Sequence, residues 1–129
     1  MTHPHFSAAT SPLRSLEAMF RADIAYLADH PNIPRMLLGA LGRTSSSALR
    51  VMIEAVIQRY ERHLSSIIEE ARQCGEIRTT IEKRTAARLF IAAVQHLVFR
   101  ALIAGNLDSI RKATLDAFES YHACMEANP

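Results

Sequence analysis

The chain has no tryptophan, two cysteines, four glycines and five prolines among its 129 residues. Each shortage excludes something. Cys74 and Cys124 cannot build a disulfide framework or a cysteine metal knuckle. A chain without such a framework fits a reducing compartment, so a cytoplasmic location is expected. Sparse glycine and proline argue against a loop-rich all-β design, and abundant short apolar residues and arginine favour helices. Charge of one sign is also lacking. Fifteen basic residues against 13 acidic ones give a net charge of +2, and no basic run stands out. A surface that neutralises several phosphates is therefore not expected, nor is direct nucleic-acid contact. The most apolar stretch, Leu89 to Gly105, is interrupted by Gln95, His96 and Arg100, so no membrane span and no membrane partner are expected. The opening MTHPHFSAAT has no basic segment leading into an apolar run, which excludes a signal peptide; residues 1–10 read as a flexible leader.

What is present is an apolar fraction of 49%, enough to bury the core of one domain of this length. Five helices are predicted, over about 12–29, 33–41, 48–74, 80–104 and 107–125, within one domain over 11–126. Ser11 caps the first, with Pro12 at its first position, and Leu13, Leu16, Phe20, Ile24 and Leu27 form its stripe. Asp29, His30 and Pro31 end it. Ile33, Met36, Leu37 and Leu41 make the apolar side of a short second helix, closed by Gly42. The third is long, with Leu49, Ile53, Val56, Tyr60, Leu64, Ile67 and Ala71 on one face and Gly75 just past its end. Thr79 and Glu82 match a capping box opening the fourth. From Leu89 onward that helix is apolar nearly all round, so two buried faces are expected, one in its own core and one against a second subunit. Leu107, Ile110, Thr114, Phe118, Tyr121 and Met125 mark the fifth. The short link at Gly105 makes helices four and five an antiparallel hairpin, and two such hairpins across a two-fold axis form a four-helix interface. The fold class is thus all-α, a five-helix antiparallel bundle that forms a homodimer, with Leu97, Phe99, Leu102, Ile110, Ala117, Phe118 and Tyr121 as candidate interface residues.

Signs of catalysis are few. Glu119, His122 and Glu126 share a helix face, but a di-iron bundle needs Glu-x-x-His on two helices, so no metal and no cofactor are expected. Cys74 sits at the negative end of a helix, which does not activate a thiol, and no serine lies in a strand-to-helix elbow. No catalytic residue is assigned and no enzyme is expected. A ligand cavity suits the residues better. Gln95 and His96 break the most apolar helix, and buried polar groups need partners. With Tyr60, Met36, Met52, Phe90, Phe20 and Ile24 they form the candidate lining of a pocket for a small hydrophobic or amphipathic molecule.

The segments ADHPNIPRMLLGAL, RVMIEAVIQRYERHLSSIIEEARQCG and GEIRTTIEKRTAARLFIAAVQHLVFRAL together resemble the C-terminal ligand-sensing and dimerisation domain of TetR/AcrR-family transcriptional regulators. Gly75, Ile77 and Arg78 match the family's Gly-x-Ile/Leu-Arg junction, and an alanine-rich helix follows from Ala86 and Ala87. The resemblance covers about residues 12–125. It implies TetR-like architecture, an effector pocket among the first four helices and a dimer through the last two. It also implies a role in transcription regulation, with DNA read by an N-terminal helix-turn-helix domain that these residues do not include. The other reading is a free-standing dimeric helical binding protein without DNA-binding activity, able to pair with a full-length regulator.

Overall fold

Ser11 opens the first helix of the computed structural model, which describes residues 11–40, 47–78, 80–105 and 110–126. Five helices run in order: α1 (Pro12–Asp29), α2 (Asn32–Ala40), α3 (Ser47–Gln73), α4 (Lys83–Ala104) and α5 (Ile110–Glu126). There is no strand among the described residues, and the fold is an all-α five-helix bundle. The expected leader and Gly42 lie outside those residues.

The start of α1 is satisfied at every donor of its first turn. Pro12 has no N–H to lose, the Ser11 hydroxyl accepts from the Arg14 N–H at 3.1 Å, and Glu76 accepts from the Leu13 N–H at 3.0 Å. That second bond crosses 63 residues of sequence and ties α1 to the turn after α3. The same turn closes as a Schellman motif. Gly75 has φ +78°, its N–H reaches the Arg72 carbonyl, and the Glu76 N–H reaches the Ala71 carbonyl. Gly105 ends α4 in the same left-handed conformation, φ +71°.

Long-range pairs set the helix directions. Leu13 meets Glu76 and Asp23 meets Tyr60, so α1 and α3 run antiparallel. Arg72 donates to the Ile81 carbonyl, while Glu61 binds Arg84 at 3.5 Å and Arg88 at 2.9 Å, so α3 and α4 are antiparallel too. The Tyr121 hydroxyl donates to the Ala86 carbonyl at 2.7 Å and joins the end of α5 to the start of α4. Helices α1, α3, α4 and α5 pack together, and α2 rests on α3.

The core follows from helical periodicity. Leu16, Phe20 and Ile24 of α1 meet Leu64, Ile67, Ile68 and Ala71 of α3, the Ala86–Ala101 stripe of α4, and Ile110, Phe118, Tyr121 and Met125 of α5. Phe20 and Phe90 meet edge to face at 5.3 Å, and Phe118 and Tyr121 complete the aromatic centre.

Three expectations need revision. Helix α4 begins at Lys83 rather than at residue 80, because Glu82 itself is the N-cap and accepts from the Thr85 N–H. The backbone N–H of Arg84 first, then that of Thr85, hold the Glu82 carboxyl below the ordinary range. Thr79, the other half of the expected capping box, lies outside the described residues. The apolar face of α3 is fully buried only in its second half: Val56 is exposed, and Leu49, Ile53 and Tyr60 are half-buried. At 1.5 Å per residue α3 is about 40 Å long and α1 about 27 Å, so the first turns of α3 outrun α1. Helix α4 is also long and apolar enough, by length and composition, to cross a membrane, since three polar residues do not offset the rest (22 residues, with an 18-residue window of mean hydropathy 1.5). Core helices of bundles meet the same criterion, and here the Ala86–Ala101 stripe packs inward.

Candidate functional site

Helices α1, α3 and α4 leave a cleft between them. Its volume is about 340 Å³, at the lower end of the range for small-molecule sites. Helix α1 supplies Asp23, Tyr26 and Leu27, α3 supplies Val56 and Tyr60, and α4 supplies Ile91, Val94 and Gln95. These positions border the buried stripes. Asp23 and Leu27 flank Ile24 on α1, and Ile91 and Gln95 each sit one residue from Phe90 or Val94 on α4. The lining therefore continues the core outward, with Val94 buried and with Tyr26 and Val56 exposed at the rim.

One polar contact spans the cleft. The Tyr60 hydroxyl donates to Asp23 Oδ2 across 37 residues of sequence. Burial raises the Asp23 carboxyl above its ordinary value, and the Tyr60 hydrogen bond pulls it partly back. For Tyr60, burial first, then the hydrogen bond and charge of Asp23, keep the phenol protonated far above its ordinary range. Tyr60 also lies edge-on to Phe90 at 6.5 Å, so its ring is seated on the core while its hydroxyl reaches the carboxylate. Tyr26 stacks on His30 at 4.2 Å. Among the described residues, Asp23 is the one charged side chain in the lining.

Of the residues proposed from sequence, Tyr60 and Gln95 line the cleft. Phe20, Ile24 and Phe90 are buried beneath it in the core, with no more than 2% exposure. Met36, Met52 and His96 are exposed and do not line it. The sequence reading missed Asp23, Tyr26, Leu27, Val56, Ile91 and Val94. Asp23 carried a signal, since it is a lone acid between Phe20, Ile24 and Leu27 of an apolar stripe. The others are ordinary apolar or aromatic positions, one helical step from the face chosen.

The expected interface residues divide. Ile110, Phe118 and Tyr121 are buried in the chain's own core, Phe118 beside Phe20 and Tyr121 beside Phe90. Leu97, Phe99, Leu102 and Ala117 are half-buried. On α4, Leu89 and Ile103 are exposed, Ile103 at 82%. His122 Nε2 lies 3.1 Å from Glu126 Oε2, and Glu119 points to solvent. Among the described residues no group of three or more His, Cys, Asp or Glu side chains is placed to hold a metal ion. A second groove of similar volume, between α1 and α5, is lined by Arg21, Ala25, Thr114 and Leu115 and is more polar. Comparison with protein-family models, with curated proteins and with solved structures finds no match for this chain.

Proposed function

We propose that this chain is a binding module whose α1/α3/α4 cleft takes a small hydrophobic or amphipathic molecule. The observation that supports this is the cleft's construction: an apolar lining continuous with the core, a volume suited to a small ligand, and a half-buried polar pair to orient it. The resemblance of the segments from Ala28 to Leu102 to TetR/AcrR-type sensor domains extends the reading. The chain then serves as the effector-sensing and dimerisation part of a transcriptional regulator, with α4 and α5 facing a second copy. A ligand wedged against Asp23 and Leu27 would displace the second half of α1, while the Leu13–Glu76 bond holds its first turn. Ligand affinity and helix position would then be linked reciprocally.

Titration with Nile red, a neutral hydrophobic dye, tests the cleft. Saturable fluorescence at one site per chain is expected. Val56→Arg, at an exposed rim position, should weaken it by about tenfold, a difference of 1.4 kcal/mol. Binding that does not saturate, or that Val56→Arg leaves intact, rejects the cleft as the site. Sedimentation mass tests the second copy: a species of 14.4 kDa alone at micromolar concentration rejects the dimer.

A further inference from the structure

The cleft places a carboxylate where most of its surroundings are apolar. Asp23 Oδ2 accepts from Tyr60, but an ionised carboxylate has about four acceptor positions, and one phenol fills one of them. Among the described residues, no lysine or arginine lines the cleft to balance the charge. The nearest arginine on the same helix, Arg21, pairs with Glu17 at 3.2 Å, and Arg88 of α4 pairs with Glu61 at 2.9 Å. Both cations are therefore occupied elsewhere. Tyr26 of α1 and Tyr60 of α3 add two aromatic rings to the lining, and aromatic faces attract cations. Among the described residues, the remaining lining is hydrocarbon apart from the Gln95 amide.

We infer that the cleft selects a protonated amine with an apolar body, the ammonium donating to Asp23 beside Tyr26 and Tyr60 and the body lying on Leu27, Val56, Ile91 and Val94. This rests on the cleft being a ligand site and adds its chemical class. Partial burial of a carboxylate carries a cost until a cation and further donors reach it, and a protonated amine supplies both. An anionic amphiphile of the same shape meets Asp23 with no compensating cation, so it is repelled. Burial acting on Asp23 is the larger influence and the Tyr60 bond the smaller, as expected of a charge still short of partners.

Three ligands that share a phenylbutyl body and differ only in the head group provide the test: phenylbutylamine, phenylbutanol and phenylvalerate. Each is titrated calorimetrically into the full chain at about neutral pH, where the amine is charged. The amine should bind at least about tenfold more tightly than the alcohol, and the carboxylate most weakly. In Asp23→Asn, which still accepts from Tyr60, the ratio of amine to alcohol affinity should fall to near one. An amine no tighter than the alcohol in the unmodified chain overturns the inference, and so does a preference that persists in Asp23→Asn. The first comparison needs no variant, so misfolding of Asp23→Asn does not remove the test. Nile red binding without an amine preference overturns this inference alone. Absence of saturable binding by the dye and by all three ligands overturns the cleft itself.

Discussion

Tyr60→Phe isolates the one polar bond that crosses the cleft. The substitution keeps the ring against Phe90 and removes only the hydroxyl that reaches Asp23. A hydrogen bond to a charged group contributes about 1.5–3 kcal/mol, and both partners here are only half-buried, so solvent screening sets the expected loss near 1.5 kcal/mol at neutral pH. The sign of its pH dependence follows from the carboxyl. Asp23 is raised above 3.8 in the folded chain, so between that value and the folded one the native state holds more protons than the unfolded state. Stability from this group is therefore present at low pH and declines as pH rises through that window. The Tyr60 hydroxyl limits the rise, and removing it moves the carboxyl further up and deepens the decline. Below the carboxylate range the bond is neutral and its loss costs about 0.5–1 kcal/mol. Urea unfolding at about pH 3.5 and about pH 7 reads the difference. At a slope of about 1.5 kcal/mol/M the midpoint at neutral pH falls by about 1 M, and by clearly less in acid. In an Asp23→Ala background the same substitution should cost little, because the acceptor is gone. Equal losses at both pH values, or an undiminished loss without Asp23, refute the pairing.

Two further substitutions probe the frame around the cleft. Phe90→Ala empties the centre of the aromatic cluster and takes the support from under Tyr60; a cost of about 4 kcal/mol is expected, or roughly 15 °C in Tm for a chain of this size, and a fall below about 5 °C in a thermal melt counts against the packing described. Gly75→Ala places a Cβ that meets no atom within 4 Å, so its cost is backbone strain alone at φ +78°, about 1 kcal/mol by denaturant titration; an unchanged midpoint means that turn is not left-handed in solution.

Much of the architecture was legible because it rests on local chemistry. Ser11 and Pro12 opened α1 where their capping preferences placed them, and Gly75 and Gly105 closed α3 and α4 in the left-handed conformation that glycine permits. The inward stripes of α1 and α5 followed from three- and four-residue spacing, and every described member of the α5 stripe is buried. Less of the cleft was legible. Tyr60 and Gln95 stood out as polar atoms in apolar surroundings and do line it. Met36 and Met52 were chosen by residue type and His96, like Gln95, as a polar break in an apolar helix, but periodicity does not report which helix passes alongside. Phe20, Ile24 and Phe90 were assigned to the cleft wall, one helical step from its lining, because a buried stripe and a cleft-facing edge look alike at that spacing. The expectation that α4 buries two faces came from its composition. In the folded chain one stripe is buried, one edge opens on the cleft, and Leu89 and Ile103 stay exposed.

Sequence alone therefore determined the all-α class, the number and order of helices and most of their ends, since capping, glycine conformation and apolar spacing act within a few residues of each other. Tertiary structure decided the rest. The Leu13–Glu76 bond and the Glu61–Arg84–Arg88 group join residues far apart in the chain, and no local preference encodes them. The same holds for Asp23 and Tyr60, separated by 37 residues and brought together because α1 and α3 run antiparallel over a shared core. Whether an acid on an apolar helix faces water or a cleft depends on the neighbour that packing places beside it, and that neighbour is chosen by the bundle as a whole.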